Sequence, residues 1–166
     1  MIDTEFVKTM ARYNRWQNEN LYQAADDLSE TARREDRGAF FRSIHETLTH
    51  ILWGDGMWMS RFAGLPKPDC PIADSGSYIE DWQTLCTERK AMDEQIIDWS
   101  RSVAPDWFAG ELRWLSGATG REMLEPKEKL VTHFFNHQTH HRGQVHAMLT
   151  AAGAKPHDTD LMLLSD

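Results

Sequence analysis

Apolar residues recur at helical spacing over four long stretches of the chain, with charged side chains between them. Phe6, Met10, Tyr13, Leu21 and Ala24 mark the first, which predicts a helix over residues 4–28 with Thr4 as N-cap. Phe40, Ile44, Leu48, Ile51, Leu52, Met59 and Phe62 predict a second over 39–63. Gly54 and Gly56 interrupt it at about 1 kcal/mol each against Ala, which points either to close packing at that turn or to a poor helix. Tyr78, Trp82, Leu85, Met92, Ile96 and Trp99 predict a third helix over 78–103. Pro126 opens a fourth in its first turn, and Gly153 stops it after about Ala152.

The stretches between these helices read differently. Residues 29–37 are polar and form a connection, and "GLPKPDCPIADSGS" (64–77), with three prolines and two glycines, is a loop. Glu111–Leu115 and Arg121–Leu124 alternate in polarity around Gly117 and Gly120, which predicts a short β-hairpin. In the tail "AKPHDTDLMLLSD", Leu161, Met162, Leu163 and Leu164 are expected to pack back onto the helices. No repeat, low-complexity tract or linker divides the chain. The expectation is one domain over 1–166, an all-α four-helix bundle of up-down-down-up connection with the hairpin before its last helix.

Charge narrows the function. Lys and Arg number 18 against 26 Asp and Glu, a formal net charge of −8. Such a chain repels phosphate backbones, and its densest basic stretch, Arg33, Arg34 and Arg37, is broken by Glu35 and Asp36, so no nucleic acid is expected as partner. Cys70 and Cys86 form no CxxC pair and read as reduced thiols. The N-terminal stretch has early charges and no apolar core, and nothing approaches the roughly 20 apolar residues of a membrane span. A soluble, cytoplasmic protein that does not act on membranes is expected.

"HFFNHQTHHRG" (133–143) carries His133, His137, His140 and His141. At about 100° per residue, His133, His137 and His141 share one helix face and His140 lies to one side. Imidazoles four apart can converge on one metal ion, and a further ligand should come from a facing helix. His50, beside Ile51 and Leu52, is the candidate; His45 points elsewhere, and only one of the two is expected to face the core. A buried polar network of histidines is the competing reading, at comparable weight from spacing alone.

Four segments resemble the DinB-like, damage-inducible superfamily: "NHQTHHRGQV" (136–145), "THILWGDGMWMSRF" (49–62), "YNRWQNENLY" (13–22) and "HDTDLMLL" (157–164). The H-H-R-G-Q element is the specific part. The resemblance implies a four-helix bundle with a divalent ion, zinc or nickel foremost, held by His50, His137 and His141. It also implies a homodimer. His133 then lines the pocket mouth or supports the ligands, His140 points outward, and His146 and His157 are structural or exposed. Arg142 is expected to pair with Asp55 or Asp160 as a structural salt bridge.

Three histidines leave an open position, the pattern of catalytic rather than structural sites. Thiol transfer, with a low-molecular-weight thiol as second cofactor and Tyr13, Trp53, Met57 and Trp58 around a small-molecule substrate, is the favoured reading; plain core is the competing role for those four. Hydrolysis of a small molecule is the alternative, with Glu46 a weak candidate for general base and Asp55 further off in direction. A non-catalytic metal- or ligand-binding stress protein is the third.

Overall fold

The computed structural model describes residues 2–117 and 119–165 and is mostly helical. In chain order it runs α1 (Thr4–Asp26), α2 (Glu30–Arg34), α3 (Ile44–Phe62), α4 (Trp82–Ser102), β1 (Glu111–Leu115), β2 (Glu122–Pro126) and α5 (Lys127–Ala151). Short 3-10 turns at Ile72–Ser77, Pro105–Phe108 and Leu161–Leu163 punctuate the connections. Helix α1 packs on α4 and α5, and α3 packs on α5 and α4.

Capping residues explain why the helices begin where they do. Helix α1 is capped by Asp3, not Thr4: the Phe6 N–H donates to the Asp3 carboxylate at 2.8 Å. Helix α3 starts at Ile44 rather than 39, because Ser43 accepts from the Glu46 N–H at 3.1 Å. The chain just before it turns through Arg42, which sits at φ 63°, so Phe40 is not core but 82% exposed. Asp81 caps α4 and moves its start from 78 to Trp82. The polar connection at 29–37 contains the short helix α2, capped by Ser29.

The hairpin is present, with Trp114 opposite Met123 in an antiparallel register. Its second strand runs to Pro126, which is therefore the last strand residue and not the first helical turn; α5 begins at Lys127. Gly153, at φ 84°, ends α5 as expected.

Two apolar clusters fill the interior. One gathers Leu21, Leu48, Ile51, Leu85 and Leu149; the other gathers Val7, Met59, Phe62, Ile96 and Phe134. Between them every long helix turns a polar residue inward: Asn14 and Asn18, Asp55, Arg89 and Asp93, Gln138 and Arg142, each buried. The charges cancel. Arg89 bridges Asp55 at 2.6 Å and Asp93 at 2.8 Å, Asn14 and Asn18 donate to Asp93, and Gln138 donates to Asp55 at 2.8 Å. Burial pulls the Arg89 pKa down, but Asp93 and Asp55 more than offset it and the net shift is upward. Burial raises the Asp93 pKa, with Arg89 opposing.

Arg142 belongs to this layer and does not pair with Asp55 or Asp160 through a salt bridge. It donates instead to the side-chain oxygen of Asn14, and Asp55 is already engaged by Arg89 and Gln138. Without a directly paired carboxylate, burial lowers its pKa to about 10. The tail also departs from expectation. It is held to α1 by polar contacts, with Tyr13 donating to the Thr159 carbonyl at 2.5 Å and Asn20 bonding both backbone groups of His157. Leu161, Met162 and Leu163 stay exposed.

Candidate metal centre

His50 on α3 and His137 and His141 on α5 meet where these two helices pack. One nitrogen from each lies within 4.8 Å of the others, and the three could hold a metal ion. The Nε2 atoms of His50 and His137 are 3.1 Å apart. Two nitrogens bound to one tetrahedral ion at about 2.0–2.1 Å stand roughly 3.3 Å apart, so this pair already has ligand spacing.

The surroundings fix which nitrogen is free. Ser75 spends its hydroxyl proton on the Ile72 carbonyl at 2.7 Å, so towards His50 Nδ1, at 2.9 Å, it acts as acceptor. His50 therefore carries its proton on Nδ1 and keeps a lone pair on Nε2. In the same way the Gln144 side-chain oxygen accepts from His141 Nδ1 at 2.8 Å and leaves His141 Nε2 basic. A second group that orients the ring is characteristic of metal-ligating histidines. Phe41 stacks on the His50 ring at 3.8 Å and meets His141 edge-on at 5.5 Å.

Burial also keeps the imidazoles neutral. It lowers the pKa of His50 and of His137 to about 3, with neighbouring histidines adding to the effect. His141 is lowered by burial too, with its bond to Gln144 opposing. Neutral imidazole is the ligand form.

The approach of α5 to α3 explains Gly54. A Cβ there would stand 2.9 Å from His137 Cε1, and a Cβ on Gly56 would meet Pro68 at the same distance. Close packing, not a poor helix, is the reason for both glycines.

The three histidines form one wall of a cleft of about 550 Å³. Phe40, Phe41, Trp53, Met57, Trp58 and Trp114 supply most of its apolar lining. Trp53 is fixed by donating its indole N–H to the Cys70 carbonyl at 3.0 Å. His133 lines the mouth, 5.3 Å from Trp58 and 5.8 Å from His137 between ring centres, and burial lowers its pKa.

Other candidates lie elsewhere. Tyr13 is engaged by the tail and Gln17 and does not reach the cleft. Glu46 packs against Gly76 and is not among the lining residues, and Asp55 is locked in the buried polar layer. His45 is as buried as His50, contrary to the expectation that only one faces inward; its Nε2 bonds the Ile79 carbonyl at 2.8 Å. His140 and His157 are exposed, and His146 is half-buried. Ser75 and Phe41 were not singled out from the sequence, since a serine in a proline-rich loop and a phenylalanine before a cap carry no periodic signal.

The DinB family model matches residues 1–166. The chain belongs to the DinB family. It is 25% identical over 162 residues to Protein DinB of Bacillus subtilis (strain 168), covering 95% of this chain and 92% of that protein. No solved structure matches. Among the described residues, no helix is long and apolar enough to cross a membrane.

Proposed function

We propose that this DinB-family chain binds one divalent ion, zinc or nickel, through His50, His137 and His141, and uses it to transfer a small thiol onto an electrophile held in the cleft. The observation that carries the metal reading is the pair of locked tautomers: Ser75 and Gln144 each hold a ligand ring with its outer nitrogen basic. His50, His137 and His141 would hold the ion, which would supply thiol activation by lowering the thiol's pKa; the sulfur would then form an S–C bond as the electrophile's leaving group departs and the thiol proton passes to solvent.

One feature favours thiol transfer over hydrolysis. Among the described residues no Asp or Glu lines the cleft, so a bound water would lack a carboxylate base, whereas a thiolate needs none. The chain's own cysteines are unsuited to supply the sulfur: burial pushes Cys86 up to about 11 and raises Cys70 as well. The thiol must come from outside. Trp53, Met57, Trp58 and Trp114 then hold the electrophile's apolar body and exclude water around it.

The same reading takes the four long helices as an up-down-down-up bundle and the protein as a cytoplasmic homodimer; light scattering in solution tests the dimer. Metal analysis of protein purified without a histidine tag tests the site, beside His137→Ala. About one ion per chain, lost in the variant, is expected. Metal-free protein that takes up neither zinc nor nickel would make the histidines a polar core network. Metal-loaded protein that conjugates no thiol across a panel of electrophiles would leave a metal-binding protein without this chemistry.

A further inference from the structure

The cleft is electrostatically unlike the rest of the chain. The protein carries 26 acidic residues against 18 basic ones, yet among the described residues the cleft lining has Arg61 and Lys67 and no carboxylate. Lys67 is exposed at the rim, whereas Arg61 is half-buried. The Arg61 guanidinium lies 4.6 Å from the Trp58 ring centre and 5.5 Å from that of Trp114. No carboxylate of the described residues pairs with it, and burial alone lowers its pKa. Such a cation is costly to bury unless something completes it.

Its guanidinium carbon lies over the rings of both Trp58 and Trp114, and no hydrogen bond among the described residues occupies its N–H donors. Those donors are what a carboxylate accepts from in bidentate fashion. Arg61 also shares a face of α3 with His50: eleven residues bring the helix round to within about 20° and advance it about 16 Å. Met57 and Gly54 occupy that same face between them. The cleft is thus a track with histidines at one end, apolar wall along its length and an unpaired fork at the other.

We propose that the cleft selects a small organic acid with an aromatic or apolar body, its carboxylate held by Arg61. One half-buried fork and one exposed lysine match a single carboxylate. This rests on reading the cleft as the substrate site, and it supplies a substrate class for that site. The carboxylate can belong to the electrophile or to the thiol; either source requires the same Arg61 contact.

Calorimetric titration of the full chain with 1-naphthylacetate and with its uncharged amide, 1-naphthylacetamide, tests it. Both the metal-free and the zinc-treated protein are titrated. The acid should bind about ten- to a hundred-fold more tightly than the amide in both forms. Arg61→Met keeps the apolar stem on the tryptophans and should bring the acid down to the amide's affinity, leaving the amide unchanged. Lys67→Ala should cost the acid no more than about threefold, as an exposed charge is screened. Equal binding of acid and amide by the unaltered protein overturns the proposal, as does no binding of the acid at millimolar concentration or a preference that survives Arg61→Met. Should Arg61→Met not fold, the guanidinium 15N resonance of the unaltered protein decides: it shifts with the acid and not with the amide if the contact exists. Because the metal-free form is titrated separately, failure to bind zinc is read independently of the anion preference.

Discussion

Gly54→Ala separates the metal reading from a purely structural one. The added Cβ would stand 2.9 Å from His137 Cε1 and 3.5 Å from Nδ1. Carbon atoms rest at about 3.5–4.0 Å, so the imidazole must move by roughly 0.6–1 Å. His137 is half-buried beside an open cleft, so its ring can swing outward with little cost to the fold. The backbone effect has the opposite sign: Ala in place of Gly inside a helix is favourable by up to about 1 kcal/mol. In a chain of 166 residues that corresponds to about 2–4 °C in Tm. Metal coordination tolerates about 0.2 Å, much less than the displacement, and His137 would be lost as a ligand. The expected result is a metal-free protein as stable as the parent or more so, with zinc affinity lower by at least about tenfold. Competition with a chromophoric chelator and thermal unfolding without metal measure the two quantities. Gly143→Ala, on α5 with nothing within 4 Å of its added Cβ, is the control and should leave metal binding unchanged. Zinc affinity of Gly54→Ala within about threefold of the parent would refute the reasoning, since the clash then fails to displace a ligand.

Three further outcomes are expected. Ser75→Ala strips the acceptor from His50 Nδ1, which frees the ring to change tautomer, and should weaken zinc binding by about ten- to a hundred-fold in the same competition assay; unchanged affinity would mean that the serine does not orient the ligand. Asp55→Asn leaves Arg89 with one carboxylate in a buried layer and should cost about 3–5 kcal/mol in urea unfolding, a loss under about 1 kcal/mol being incompatible with the described pairing. In metal-free protein, His50 and His137 have folded pKa values of about 3, below the 6.5 of the unfolded chain. The unfolded state therefore binds more protons between those limits, and the stability these histidines confer is present above about pH 6.5 and declines as pH falls toward 3. Proton NMR should find both imidazoles still neutral at pH 5, and titration near 6.5 would contradict their burial.

The sequence was most legible where a single period governs it. The stripes of α1, α3, α4 and α5 follow from apolar spacing because each helix has one face to bury, and the same geometry aligned His137 with His141. What escaped depends on contacts between elements. Apolar periodicity gives Asn14, Asp55, Arg89, Asp93 and Arg142 no reason to lie inside, yet all five are buried. Their burial becomes intelligible only when four helices place opposite charges at one level, since Arg89 is tolerable inside because Asp55 and Asp93 meet it there. Arg142 shows the limit of pairing charges from sequence: of the two carboxylates expected for it, Asp55 is taken by Arg89 and Gln138 and Asp160 forms no salt bridge with it, and the Asn14 amide oxygen serves instead.

The same distinction separates the two groups of histidines. His45 and His50 lie five residues apart on one helix and are both buried, so burial cannot say which one has a nitrogen free for a metal. Their partners can. His45 Nε2 is used up on the Ile79 carbonyl, whereas Ser75 engages only the inner nitrogen of His50 and leaves the outer one facing His137. Ser75 reaches that position from a proline-rich loop whose 3-10 turn packs on α3. A loop without periodicity thus selects the chemical role of a residue on a helix. This is why spacing could align His137 with His141 and the resemblance could add His50, while the tautomer that leaves a nitrogen free required the fold.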